Sequence, residues 1–519
     1  MTSKQIDSLI TMIIEHNKLT SDQIDQIFSF DTIKDVDSDP HLERAYQRIM
    51  QASLEGEKVA VVGDYDADGA CATTIMVDTL NRLNIETGFY IPNRLKEGYG
   101  ISVEIAKQLI DKDYSLIITV DNGVKSLDVI EYCIEKNVDL IITDHHQLEE
   151  YDYPFLVHPT LMNDKYKTLC GAGVALILSR LLLNNQIIEE HYIYAMIATI
   201  GDVMPVFDEN RIIIKEGLKF LNESSDKVIT ALFDSYRPYT EKEVAFEIVP
   251  KINSLGRLAD VANINNLVRY FLSNEYNKNF IEQVNEVNKL RKKLSNVEID
   301  IKNDLINCGG VNVFRKDDLH EGVIGIIAGR LSHQLKQPVL VMTKSDSIIK
   351  VSSRATDNYD LYSHLSKFKE DFTSFGGHKV ACGISLMEEK YDNFLDSLSN
   401  ERISGGSLIE EKLVDIESSR INVEFLEKLE QLRPFGEGLK LPKFNFVNFE
   451  YDSIYNVKQM YVKVSKSMKG LSVDAISFNS INDYNTIKNH EIVNFIGNFD
   501  FKKNSKAYKV NIVTDIFDF

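Results

Sequence analysis

The chain has 519 residues, 44% hydrophobic and 26% charged, with a net charge of −20, the composition of a globular protein of about two to four domains. It has no run of about 18 apolar residues and no basic stretch leading into an apolar one, so neither a membrane span nor a secretory signal is expected. The five cysteines are scattered without a CxxC pair, which excludes a zinc ribbon and fits a reducing, cytoplasmic setting. The acidic balance argues against a chain that coats nucleic acid by overall charge. Net charge governs long-range steering, however, and not what one groove binds.

Residues 40–56 read as an amphipathic helix closed by Gly56. KVAVVGDYD (58–66) is an apolar strand ending in acids, followed by a helix over 72–84 and a strand over 85–93. A helix over 101–111, a strand over 115–123, a helix over 126–137 and a strand over 138–146 continue the alternation. Short apolar strands alternating with helices indicate a parallel α/β sheet, buried on both faces because the runs are continuous rather than alternating. Two apolar helices follow over 170–200, the second running into GDVMP. Residues 274–305 read as one long charged helix, in which KLRKK (289–293) is a helix face. A second α/β region covers 309–395, and the break ISGGSLIE (403–410) ends it. From about residue 443 the pattern turns to some five short alternating strands, which suit a small closed β-barrel of the OB type. The expected architecture is therefore a parallel-sheet α/β domain with N-terminal helices over 1–270, a connector helix over 271–305, a smaller α/β domain over 306–400 and an OB-fold-like β-barrel over 410–519.

Acids gather where elements end. Asp64, Asp66 and Asp68 follow the first strand, Asp121 the third, Asp144-His145-His146 the fourth, and Asp202 the helix YAMIATIG. In an open parallel sheet, ligands bind outside the carboxyl ends of the strands, so these groups should share one crevice. Carboxylates packed together repel and raise one another's pKa unless a cation lies between them. Carboxylates with one or two imidazoles suit Mn²⁺ or Mg²⁺, and two such ions about 3.5–4 Å apart make a phosphoryl hydrolase site. A lone DxD usually caps a turn and a lone His-His is usually core or surface, but several such stations at element ends resist a structural explanation. Further along, Ser352 and Arg354 lie two apart and would share one face of a strand. Tyr455, Tyr461, Lys463, Lys466, Lys469, Lys502, Lys503, Lys506 and Lys509 in the barrel fit either a single-strand platform or a solvated sheet surface.

Together these stations resemble the DHH phosphoesterase superfamily, named for the triplet at 144–146, and within it the RecJ family of single-strand-specific exonucleases. The likeness runs over nearly the whole chain. It includes DPHLERAYQRI (39–49), GDYDADG (63–69), PNRLKEGYGIS (92–102), TVDNG (119–123), TDHH (143–146) and ATIGDVMPVFDENRIIIKEGLK (198–219). It continues through PKINSLGRLAD (250–260), HEGVIGIIAGRL (320–331), SSRATDNYDLYSHL (352–365), SFGGHKVACGIS (374–385) and LRPFGEGLKLPKF (432–444). The resemblance implies a DHH domain, a DHHA1 domain carrying the GGH segment, and a terminal OB-like domain. It implies Asp66, Asp68, Asp121, His145 and Asp202 as metal ligands, with Asp121 as the bridge and His146 as an electrostatic or acid helper beside the phosphate. Asp64 either completes the ligand set or hydrogen-bonds it, because related pyrophosphatases carry a ligand histidine where this chain has Val62. By the same resemblance Arg94, Ser352 and Arg354 surround a terminal phosphate, Arg257 and His320 line the nucleotide path, and Gly376, Gly377 and His378 approach the strand.

The implied function is a 5′→3′ exonuclease that releases 5′-mononucleotides from single-stranded DNA in repair and recombination. It would use two divalent metal ions, Mn²⁺ in preference or Mg²⁺. Single-stranded DNA is the expected partner, with RNA as an open substrate. A single-strand-binding protein or helicase is a further partner, and the state is a monomer. The alternatives are a DHH–DHHA1 oligonucleotide or cyclic-dinucleotide phosphodiesterase and a non-catalytic replication scaffold.

Overall fold

The computed structural model describes residues 8–29, 32–148, 152–405, 413–503 and 507–518. The first sheet is parallel throughout, in the order β2-β1-β3-β4-β5. Its strands are β1 (Lys58–Val62), β2 (Glu86–Tyr90), β3 (Leu116–Val120), β4 (Asp139–Thr143) and β5 (Leu156–Val157). The continuous apolar runs divide by parity between two cores. Val59, Val61, Leu116, Ile118 and Ile141 join one, and Ala60, Val62, Ile117, Leu140 and Ile142 the other. Full burial of each large aliphatic side chain contributes about 1.5–3 kcal/mol.

The helices start and stop where local chemistry dictates. Asp39 accepts from the His41 and Leu42 N–H groups, Pro40 opens the helix Pro40–Glu55, and Gly56 ends it at φ 68°. Asp66 caps Ala67–Arg82 by accepting from the Asp68 and Gly69 N–H groups. This helix packs against Gly171–Leu182 and Glu189–Gly201 on one face of the sheet.

The chain over 271–305 departs from the expected single helix. One helix, Asn265–Ser273, ends at Asn274, which is left-handed at φ 52°. Asn277 caps a second, Lys278–Ser295, which stops at Asn296. Beyond it the Asp300 carboxylate accepts from the Lys302 N–H, and the Asp300 N–H donates to Asp304. These local side-chain bonds compete with the helix, and a charge pattern does not reveal them.

The second sheet runs β10-β11-β9-β8-β7-β6. Its strands are β6 (Ile306–Cys308), β7 (Val311–Arg315), β8 (Val339–Ser345), β9 (Ile348–Arg354), β10 (Phe372–His378) and β11 (Ala381–Met387). Only β7 and β8 pair in parallel, across the helix Ile324–Leu335. Gly376-Gly377-His378 ends strand β10 and pairs with β11.

The third sheet runs β12-β13-β17-β18-β16-β15-β14. Its strands are β12 (Val414–Glu417), β13 (Lys443–Glu450), β14 (Ser453–Val457), β15 (Tyr461–Met468), β16 (Leu471–Ser477), β17 (Ile492–Lys503) and β18 (Tyr508–Thr514). β13 and β14 are two halves of one bent run, the first pairing with β17 and the second with β15, so the run closes the barrel. The barrel therefore has the expected strands, the first one bent in two, plus β12 added in parallel to β13. Most of the break at 403–410 lies outside the described residues, as does Lys506. Among the described residues no helix is long and apolar enough to cross a membrane.

Candidate metal centre

The carboxyl ends of β1, β3 and β4 and the end of the helix Glu189–Gly201 converge as expected. The ligand atoms of Asp121, His145 and His146 lie within 4.8 Å of one another, and so do those of Asp68, His145 and Asp202, and those of Asp64, Asp66 and Asp121. Asp121 and His145 each belong to two of these groups. His145 Nε2 is 3.1 Å from Asp121 Oδ1, 3.5 Å from Asp68 Oδ2 and 3.7 Å from Asp202 Oδ2.

The fit to metal rests on the buried oxygens. Asp64 Oδ1 and Asp121 Oδ1 are buried and accept no hydrogen bond. Burial and Asp66 push the Asp64 carboxyl well above the ordinary range, burial and Asp68 raise Asp66, and burial with Asp68 raises Asp121. A cation among them relieves both the missing partners and the repulsion, and this donor set suits Mn²⁺ or Mg²⁺. Asp68 is fixed differently. Its two oxygens accept from the Gly171 and Ala172 N–H groups at 2.7 and 2.6 Å, at the start of the helix Gly171–Leu182. A Cβ on Gly171 would lie 2.5 Å from Asp121 Cβ, so only glycine lets that helix approach.

Several residues were not assigned roles from sequence. Asp144 is buried and organises the triplet. Its Oδ1 accepts from the His145 and His146 N–H groups and lies 2.8 Å from His146 Nδ1, while Oδ2 accepts from the Val124 N–H. Burial alone would lower the His146 pKa, but the Asp144 bond and charge, with Asp202 and Asp64, carry it up to about 9. Asn122 ties the Val62 and Val120 carbonyls to the Ile101 N–H. The Tyr99 hydroxyl donates to the Asp121 carbonyl at 3.0 Å and sits 3.1 Å from His146 Nδ1. His158 Nδ1 accepts from the Thr160 N–H, which leaves Nε2 to donate to the His146 carbonyl at 2.8 Å. The signal for Asp144 was its place in the triplet. The others act through contacts distant in sequence.

The residues expected on the substrate side divide. The Arg94 guanidinium lies 4.7 Å over the Tyr65 ring. Burial and the charges of Arg94 and Arg354 lower Arg257 to about 10, with Asp66 and Tyr65 acting the other way. Arg354 Nη1 donates to Ser352 Oγ at 3.2 Å, and a Cβ on Gly325 would lie 3.1 Å from that oxygen, so the pair faces the first turn of the helix Ile324–Leu335. The His378 ring stacks on His146 with centroids 6.3 Å apart, which brings the GGH strand to the triplet. Gly377 is left-handed at φ 144°, where a Cβ would run into the Ala381 carbonyl, and Gly376 is open. His320 lies beside Arg257, since a Cβ on Gly322 would lie 1.8 Å from the Arg257 carbonyl oxygen. Its Nδ1 accepts from the Gly322 N–H and its Nε2 lies 3.1 Å from Asp260.

The barrel lysines are drawn into ion pairs. Lys463 lies 3.5 Å from Asp474, Lys466 2.9 Å from Glu450, Lys502 3.1 Å from Glu243 and Lys503 3.7 Å from Glu427. These pairs favour the sheet-surface reading for the four, while Tyr455 remains 48% exposed.

Comparison with known proteins places this geometry. Residues 58–200 match the DHH family N-terminal domain, 308–403 the DHHA1 domain and 414–514 the RecJ OB domain. A single-stranded-DNA-specific exonuclease RecJ of Bacillus subtilis is 30% identical over 461 residues, 84% of this chain and 58% of that protein. The chain thus spans less than two thirds of that relative's length. The crystal structure of RecJ in complex with Mn²⁺ from Thermus thermophilus superposes with a TM-score of 0.79 at 22% identity, covering 98% of this chain and 75% of that one. An exonuclease RecJ bound to manganese superposes with a TM-score of 0.62 at 27% identity, covering 71% and 96%. With three domain models matched in order and the same architecture, the chain belongs to the RecJ family of DHH–DHHA1 proteins.

Proposed function

We propose that this chain is a metal-dependent exonuclease that degrades single-stranded DNA from its 5′ end and releases 5′-mononucleotides. The observation that carries the reading is the pairing, in one crevice, of the Asp121-centred cluster with the cationic group Arg94, Arg257 and Arg354. Tyr65, between Asp64 and Asp66, joins the two: the Arg94 guanidinium lies 4.7 Å over its ring, and a Cβ on Gly256, next to Arg257, would lie 1.9 Å from its carbonyl oxygen. The metal ligands in this reading are Asp66, Asp68, Asp121, His145 and Asp202, with Asp64 beside them.

When bound, two divalent ions supply activation of water and charge neutralisation at the scissile phosphate. The chain's own groups do the rest. The arginines and Ser352 hold the terminal 5′-phosphate and set the next phosphate one nucleotide further along, over the acids. Water attacks that phosphorus, a P–O bond forms, and the bond to the 3′-oxygen of the terminal nucleotide breaks. His146, held by Asp144 at 2.8 Å, offsets charge on the phosphate and gives a proton to the leaving oxygen. His378, its ring nearly parallel to that of His146 at 6.3 Å, borders the same phosphate position.

The acids of the first domain and His378 of the second meet within one chain, which supports action as a monomer. A cytoplasmic site of action goes with this reading, on strands exposed by a helicase or handed over by a single-strand-binding protein. The test sets a long single strand, a duplex and a dinucleotide beside one another in Mn²⁺. Preferential hydrolysis of the long strand supports the proposal. Hydrolysis of the dinucleotide alone would instead favour a short-substrate phosphodiesterase.

A further inference from the structure

The PFGEG segment, residues 434–438, is far from the metal cluster in sequence, yet it packs on the turn that carries Asp202. Asp202 ends the helix Glu189–Gly201, with its N–H donating to the Ala198 carbonyl. The next residue, Val203, is left-handed at φ 55° and 63% exposed. A β-branched residue is costly in that conformation, and no burial of its side chain compensates. The turn is held from both sides. On the near side, Met204 N–H donates to the Thr199 carbonyl. On the far side, Pro205 pairs in a parallel bridge with Glu437, and Val206 N–H donates to the Glu437 carbonyl at 3.0 Å.

The segment is itself fastened. Arg211 donates to the Leu432 and Arg433 carbonyls, Glu241 accepts from the Phe435 N–H, and Asn17 exchanges two hydrogen bonds with Lys440. Its glycines allow the contact. A Cβ on Gly436 would lie 2.6 Å from Val206 Cγ1, and one on Gly438 3.0 Å from the Phe207 ring.

We infer that residues 434–438 are a positioning strap for the metal ligand Asp202: by pairing with residues 205–207 they hold the strained turn at Val203 and so aim the Asp202 carboxylate at Asp68 and His145. The inference rests on the metal-site reading above. It ties the chain leading into the barrel to the metal centre and separates this role from any part the barrel plays in holding DNA.

The test titrates the full-length chain with Mn²⁺, followed by electron paramagnetic resonance and calorimetry. Gly436→Ala should weaken one of the two ions by about 10-fold or more, the usual effect of disturbing a ligand's support. Its affinity for single-stranded DNA in EDTA should be unchanged. Val203→Gly relieves the strain, so Val203→Gly/Gly436→Ala should recover Mn²⁺ binding to within about threefold of the unaltered chain. A strap that merely joins domains would lower thermal stability without changing Mn²⁺ affinity and would not be rescued by glycine at 203. If Gly436→Ala does not fold, Gly438→Ala takes its place. Unchanged Mn²⁺ affinity in both folded variants overturns the inference. Absence of Mn²⁺ binding by the unaltered chain overturns the metal-site reading and the inference with it.

Discussion

Asp144 shows how one carboxylate can organise a site through its hydrogen bonds. It accepts three main-chain N–H groups and holds the His146 ring, so it sets both the path of the triplet and the charge of its last imidazole. Asp144→Asn keeps the shape and removes the charge. It should lower the rate of DNA hydrolysis by about 100-fold while Mn²⁺ still binds, as read from single-turnover rates beside calorimetry. Full activity in that variant would show that His146 needs no anionic partner. In the proposed function Arg354 belongs to the group that holds the 5′-phosphate. Arg354→Ala should reduce the preference for a 5′-phosphoryl over a 5′-hydroxyl end by about 10- to 100-fold, the worth of one charged hydrogen bond. An unchanged preference would remove Arg354 from the terminal-phosphate pocket.

At the level of elements, the sheet that carries the acids is braced at its opposite end. Arg48 donates to both oxygens of Glu57 at 2.9 and 2.8 Å and to Asp139 at 2.6 Å, joining the helix Pro40–Glu55 to the starts of β1 and β4. The Arg48 hydrogen bond holds the Glu57 carboxyl below its ordinary value of 4.5. A depressed folded pKa gives stability that is present above the unfolded value and is lost as the pH falls through the folded one. Glu57→Gln should therefore cost about 2 kcal/mol in urea unfolding at pH 7. The gap from the unaltered chain should close below the ordinary carboxylate range. A gap constant with pH would contradict this assignment.

Much of this level was legible in the sequence. The runs VAVV, LIIT and DLIIT are apolar without alternation because both faces of a parallel sheet are covered, and the acids after them mark its carboxyl ends. The stop at Asn296, the turn at Asp300 and the bend between β13 and β14 were not legible. Each is decided by one side chain or by pairing with a distant strand. The same holds for Asn122, Tyr99 and His158, whose roles exist only once the loops have met.

In the whole molecule, the barrel is joined to the first domain by charge and by the strap. Arg433 pairs with Glu241 at 2.5 Å, Lys242 with Asp500 at 2.6 Å and Lys502 with Glu243 at 3.1 Å. The first pair matters most, because Glu241 is 7% exposed and also accepts from the Phe435 N–H. Glu241→Ala leaves Arg433 without that partner and should cost about 3 kcal/mol in chemical unfolding. A change below about 0.5 kcal/mol, the size of an exposed pair, would show that the seam does not depend on it. In the proposed function a strand reaches the acids of the first domain past His378 of the second, so the order of events at its two ends reports on the whole arrangement.

The central claim is that the Asp121 cluster hydrolyses a single strand from its 5′ end with divalent metal. Its most direct test follows 5′-labelled and 3′-labelled single-stranded DNA in Mn²⁺, Mg²⁺ or EDTA, beside Asp121→Ala. The account predicts immediate release of labelled mononucleotide from the 5′-labelled strand and stepwise shortening of the 3′-labelled one, both abolished by EDTA and by Asp121→Ala. Release of mononucleotide from the 3′-labelled strand first, or hydrolysis that survives Asp121→Ala, would contradict it.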